Sequence, residues 1–97
     1  MAWRVISSKK VDKEYGQACL RAYADGNLHL MLEGMKYLRH RLASDPLEVG
    51  EAHNRLKHLN LVLCVVMRGP LIVEYAVDEL RQWVYLREIT YLPGPRN

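Results

Sequence analysis

Apolar residues recur along the chain with two different periods, and the change of period divides it into elements. Trp3-Arg4-Val5-Ile6-Ser7 alternates and contains β-branched residues, which predicts a short first strand. Ser7 and Ser8 then offer hydroxyls to cap a helix. From Lys9 to Ala24 the spacing becomes three and four. Val11, Tyr15, Ala18, Cys19, Ala22 and Tyr23 form one apolar stripe, with Lys9, Lys10, Lys13, Glu14, Gln17 and Arg21 around it. Asp25-Gly26-Asn27 supplies the stop, because glycine accepts the left-handed conformation at a helix end. A second helix is predicted over Leu28 to Ala43. Met31, Met35, Leu38 and Leu42 share one face, and Leu28, Leu32 and Tyr37 lie beside it. Ser44-Asp45-Pro46 ends it. So short a connection predicts antiparallel packing of the two helices.

Residues 45–58 show no regular period, being broken by Pro46, Gly50 and Asn54. They read as a loop, with at most one helical turn around Glu48–Arg55. The remainder reads as sheet. Leu61–Met67 is a continuous apolar run, short and β-branched, bounded by Asn60 and by Arg68-Gly69-Pro70, which predicts a buried strand. Leu71–Val77 is the next strand, Asp78–Arg81 a turn, and Gln82–Tyr91 a long final strand. Simple alternation along that strand puts Trp83, Tyr85, Arg87, Ile89 and Tyr91 on one face and Val84 and Leu86 on the other. Residues 92–97 read as a tail. The order is β-α-α-β-β-β. It implies an α+β, two-layer domain in which an antiparallel C-terminal meander packs on a helical hairpin.

Composition narrows the picture. Ninety-seven residues are enough for a single domain over 1–97, and 49% hydrophobic with 26% charged residues excludes disorder and collagen. The net charge is +3. Its excess lies in the first half, with the densest cluster at Lys36, Arg39, His40 and Arg41. Cys19 and Cys64 form no CxxC pair and sit among apolar neighbours, so both read as buried thiols. The histidines are not at zinc-finger spacing. His29 and Glu33 share a helix face but lack further ligands, so neither a metal nor a cofactor is expected. The longest apolar run, seven residues, is far short of the about 20 a membrane helix needs. Met1-Ala2-Trp3-Arg4 has no signal layout. A cytoplasmic protein with no membrane association is the expectation.

The element order at this length resembles the RelE/ParE toxin superfamily. The likeness is strongest in Leu61–Met67, Arg68-Gly69-Pro70, Leu71–Val77, Asp78-Glu79 and Val84-Tyr85-Leu86-Arg87. The last of these is similar to the family's V-x-L-R strand. Asp45-Pro46 with Gly50 is similar to the loop after its second helix, and Ser7–Lys13 to its first helix. The resemblance implies the toxin of a type II toxin–antitoxin module, partnered by a cognate antitoxin. Many members cleave messenger RNA on the ribosome and others inhibit DNA gyrase. Of the family's recurrent positions, Arg87 matches one and Tyr91 matches a late aromatic loosely. Where active members carry arginine in the first strand of the meander, Leu61–Met67 is wholly apolar.

Metal-independent cleavage of RNA through its 2′-hydroxyl needs a base, cations for the phosphate and an acid for the leaving oxygen. The candidates for proton transfer and phosphate contact are Arg87, Tyr91, His58 and Lys57. Candidates for RNA binding are Arg68, Arg81, Arg55, Lys36 and Arg39. Arginine suits phosphate because its planar fork meets two oxygens at once, and histidine titrates near neutrality. Each also has a plainer reading. Arg87 can pair with Glu74 across the sheet, Lys57, His58 and Arg55 can form a solvated loop, and the Lys36–Arg41 cluster can be a solvated helix face. Three functions follow: a toxin that cuts messenger RNA, a non-catalytic domain that binds a partner peptide or a second copy on the same scaffold, or a gyrase inhibitor.

Overall fold

The computed structural model describes residues 3–93. Met1, Ala2 and the Gly94–Asn97 part of the expected tail lie outside the described residues. The chain runs β1 (Arg4–Ile6), α1 (Lys9–Ala24), α2 (Leu28–Ser44), α3 (Pro46–Val49), β2 (Glu51–Leu56), a 3-10 turn (Lys57–Leu59), β3 (Leu61–Arg68), β4 (Leu71–Asp78) and β5 (Trp83–Tyr91). The five strands form one sheet in the order β1-β5-β4-β3-β2. Strands β2 to β5 are antiparallel neighbours, while β1 lies parallel to β5, Val5 opposite Val84. The α+β architecture and the meander stand as expected.

The helix boundaries follow from the polar signals. The Ser8 side chain accepts from the Val11 N–H at 3.2 Å and caps α1. Gly26 takes φ +77, and the Asn27 N–H then donates to the Ala22 carbonyl at 2.7 Å, closing the helix end. Met31, Met35, Leu38 and Leu42 are buried as one face of α2, and Val11, Ala18 and Ala22 as one face of α1. Tyr23 is not part of that stripe: it is 71% exposed. The helices cover one face of the sheet, where they meet Val62, Cys64 and Val66 of β3, Val73, Tyr75 and Val77 of β4, and Val84, Leu86 and Ile89 of β5. Each such side chain contributes about 1.5–3 kcal/mol on burial. Cys64 is buried and Cys19 half-buried, both as free thiols.

Residues 45–58 are not a loop. Pro46 opens a one-turn helix and residues 51–56 add an edge strand to β3. Glu51-Ala52-His53-Asn54-Arg55 is exposed throughout, so this strand has no buried face to impose an alternating pattern. Tyr75 fixes the connection. Its side chain is fully buried, and its hydroxyl donates to the Pro46 carbonyl at 2.6 Å. Burial holds the phenol well above its ordinary pKa, so it remains a donor. Gly50 is needed at this crossing, because a Cβ there would sit 2.8 Å from the Val65 carbonyl oxygen and against the Tyr75 hydroxyl.

Strand β5 departs from simple alternation. Glu88 lies opposite Glu74, but Leu86 lies opposite Tyr75, so Arg87 is one residue too many. This β-bulge reverses the phase of everything after it. Val84 and Leu86 face the helices before the bulge, and Ile89 and Tyr91 face them after it. The expectation that Tyr91 and Ile89 share a face with Trp83 and Tyr85 is thereby corrected.

Candidate functional site

Five strand ends meet at one end of the sheet. Leu56 lies opposite Leu61, Leu61 opposite Asp78, Asp78 opposite Trp83, and Trp83 opposite Arg4. This topology gathers Arg55 from β2, Lys57 and His58 from the 3-10 turn, and Arg81 from the β4–β5 turn. All four are exposed. The Arg81 guanidinium lies 5.4 Å from the Trp83 ring centre, and Trp83 meets Tyr85 edge-on at 6.0 Å. Arg81 is anchored at its backbone, whose N–H donates to Oδ1 of the buried Asp78 at 3.1 Å, while its guanidinium is 3.6 Å from Oδ2. Arg55 Nη1 is 2.8 Å from Glu79 Oε1. Two non-glycine residues with positive φ, Asn60 at 56° and Gln82 at 58°, turn the chain at this end.

Chemically, this end offers guanidinium forks, an ammonium, an imidazole and an aromatic pair. The Arg55–Glu79 pair is solvent-exposed, and such pairs are worth only about 0–1 kcal/mol, so a phosphate can replace Glu79 on Arg55 at little cost. Trp83 and Tyr85 supply ring surface of the kind on which unpaired bases stack.

The other expected residues lie elsewhere. Arg68 ends β3 at the opposite end of the sheet, separated from Arg81 by the length of β4, roughly 25 Å for eight residues. Its guanidinium stacks 4.0 Å from the centre of the Tyr37 ring. Arg41 Nη1 donates to the same tyrosine's hydroxyl at 2.9 Å. A shallow pocket of about 200 Å³ opens beside this stack, between Glu33, Gly34, Tyr37, Arg68 and Pro70. Lys36 and Arg39 are exposed on α2 and join neither end.

Arg87, the extra residue of the bulge, is exposed. The expected Arg87–Glu74 partnership is replaced by Glu88 opposite Glu74. The two carboxyl groups interact directly. The hydrogen bond between them, and then their like charge, push Glu88 above the usual carboxylate range; Glu14 adds to the shift and Lys10 opposes it. Tyr91 is 3% exposed, and its hydroxyl donates to Asp25 Oδ2 at 2.7 Å and accepts from Asn27 Nδ2 at 3.0 Å. The structure therefore brings together Arg55, Lys57, His58 and Arg81, and does not bring Arg87, Tyr91, Arg68, Lys36 or Arg39 to them. The Glu74–Glu88 pair was not legible in the sequence, because only the bulge places the two side by side. Among the described residues no three His, Cys, Asp or Glu side chains gather as a metal site needs. No described helix is long and apolar enough to cross a membrane.

Solved structures share this architecture. A chain of the toxin–antitoxin complex RelBE2 from Mycobacterium tuberculosis superposes with a TM-score of 0.68 at 14% identity, over 94% of this chain and 99% of that chain. A chain of the archaeal RelE-RelB complex from Pyrococcus horikoshii OT3 gives 0.64 at 17% identity, over 94% and 96% of the two chains. No protein-family model matches the chain, and no curated protein matches it by sequence. The likeness is one of fold, and it is the fold that the RelE/ParE resemblance implied.

Proposed function

We propose that this chain is the toxin of a toxin–antitoxin pair, neutralised by a cognate antitoxin, and that it acts on messenger RNA at the ribosome through the basic end of its sheet. The observation that carries the RNA reading is the gathering of Arg55, Lys57, His58 and Arg81 at one end of the sheet, with Arg81 against the Trp83 ring. In this reading Arg55 and Arg81 hold phosphate, Lys57 adds charge, and His58 takes the proton of the 2′-hydroxyl as its oxygen attacks phosphorus and returns it to the leaving 5′-oxygen. Tyr91, buried and engaged at both hydrogen-bonding positions, contributes to the fold and not to proton transfer. Support for the pair comes from the fold shared with chains of two toxin–antitoxin complexes.

The test is expression under an inducible promoter, followed by a translation reaction with purified protein. Growth arrest relieved by co-expressing a small reading frame found beside its gene supports the pair. Truncated message, lost in His58→Ala and in Arg55→Ala/Arg81→Ala, supports cleavage. Intact message at saturating protein refutes it. A second reading, a non-catalytic interaction domain, is favoured by the uncovered sheet face, whose β3 and β4 positions hold apolar and acidic side chains in place of cations. It predicts partner binding with intact message.

A further inference from the structure

Gly16 stands in the middle of α1, where glycine weakens a helix relative to alanine because it gives up more backbone freedom on folding. The fold does not ask for it. The position is exposed, and a Cβ added there would meet nothing within 4 Å beyond its own helix backbone. On the same side of the helix, four and seven residues on, Leu20 and Tyr23 are each 71% exposed. Seven and three residues back stand Lys9 and Lys13, both exposed and without an ion-pair partner among the described residues. This stripe lies opposite Val11, Ala18 and Ala22, which pack α1 onto the core. Its lysines also sit at the unfavourable end of their own helix, whose N-terminus is the positive pole of the backbone dipole.

We propose that α1 pairs with α1 of a second copy of this chain, the two helices crossing antiparallel at Gly16. The stripe is complementary to itself. A two-fold axis through the crossing sets residues at equal distances on either side of Gly16 opposite each other. Lys9 then meets Tyr23 of the second copy, seven residues or about 10 Å from the axis, and the same pair forms on the other side. An ammonium is attracted to the face of a phenol ring, and the aliphatic stem of Lys13 lies along Leu20. Asp12, at the same level, is already held by the Ser7 hydroxyl at 2.6 Å. The antiparallel arrangement brings each basic first turn to the negative C-terminal end of the facing helix, whereas a parallel crossing would set lysine against lysine. With no Cβ at the crossing, the two backbones approach closely enough for the flanking side chains to interlock. One pair of helices buries a small interface, so the dimer is reversible. None of these residues belongs to the basic end of the sheet, and the pairing does not rest on the RNA reading.

Sedimentation equilibrium of the full chain over a wide concentration range should show a reversible monomer–dimer equilibrium. Gly16→Ala should move two readouts in opposite directions. It should weaken dimerisation by roughly tenfold or more, and raise the melting temperature of the dilute monomer by about 2–8 °C. Leu20→Gln/Tyr23→Gln changes two exposed positions, and should leave the fold intact and abolish dimerisation. Tyr23→Lys, which sets a lysine against Lys9, should weaken the dimer, and Lys9→Glu/Tyr23→Lys should restore it. A chain that stays monomeric at the highest concentration overturns the proposal and leaves the stripe to a partner of another kind. A dimer that neither Gly16→Ala nor Leu20→Gln/Tyr23→Gln weakens overturns it too, since another face would then hold the copies together. Failure of the exchanged pair to restore association overturns the antiparallel crossing. A lower melting temperature in dilute Gly16→Ala also overturns the proposal, by showing that the fold itself needs the glycine.

Discussion

The hydroxyl of Tyr91, at the end of β5, donates to the carboxylate of Asp25, 2.7 Å away in the turn between α1 and α2. Residues 66 positions apart are tied by a charge-assisted bond, and Asn27 donates to the same oxygen. The last strand is thereby locked to the helical hairpin. Tyr91→Phe keeps the ring and removes both bonds. It should lower stability by about 1–3 kcal/mol, read as a shifted urea midpoint at unchanged slope. RNA cleavage per folded molecule should be unaffected. A cleavage defect in a fully folded Tyr91→Phe would return this residue to the chemistry.

The bulge at Arg87 makes a sharper prediction. Arg87→Ala changes an exposed side chain and should alter stability by no more than about 0.5 kcal/mol. Deleting Arg87 removes the one extra residue and sets Glu88 directly after Leu86, so Ile89 and Tyr91 keep facing the core. The deletion should be tolerated at a cost of no more than about 1–3 kcal/mol, the range of an ordinary single change. Thermal unfolding of the two variants side by side checks this. A deletion that prevents folding would mean that the bulge itself sets the course of the strand.

How far the sequence led depended on whether a local signal existed. Ser8, Gly26 and Pro46 punctuate the first half, and the helices begin and end beside them. Buried β3 announces itself as an unbroken apolar run. Strand β2 gives no such sign, because an edge strand exposed along its length obeys no hydrophobic period. The bulge is equally silent: one extra residue in β5 has meaning only against its partner β4. The site divides in the same way. Histidine and arginine were recognisable as chemistry, but Arg55 meets Glu79 only because β2 and β4 end on the same side of the sheet. That is a fact of topology, not of neighbouring residues.

The crossing of Gly50 under Tyr75 predicts two losses of different origin. Tyr75→Phe removes one hydrogen bond and leaves the Pro46 carbonyl buried without it, costing about 1–3 kcal/mol. Gly50→Ala places a Cβ 2.8 Å from the Val65 carbonyl oxygen and against the Tyr75 hydroxyl. Backbone cannot retreat there without breaking the β2–β3 pairing, so about 1–3 kcal/mol of overpacking is expected, concentrated locally. Hydrogen exchange should show Glu51–Leu56 opening faster in Gly50→Ala, with α1 protected as in wild type. Uniform loss of protection would place the strain elsewhere.

The Glu74–Glu88 pair gives stability a pH dependence opposite to that of an ordinary paired carboxylate. Glu88 is raised above its ordinary value of 4.5 by the bond to Glu74 and by its charge. The folded state therefore holds a proton that the unfolded chain releases. By linkage, the contribution is fully present below the unfolded pKa and is lost as pH rises through the higher folded one. Above that point both groups are ionised and repel. Glu88→Gln removes the titration while keeping a hydrogen-bonding side chain. It should raise the melting temperature relative to wild type at neutral pH, with the advantage shrinking as pH falls below the glutamate range. Melting curves across that interval check the sign. An advantage that instead grows in acid would show that Glu88 is stabilised as a carboxylate, and that the two groups do not share a proton.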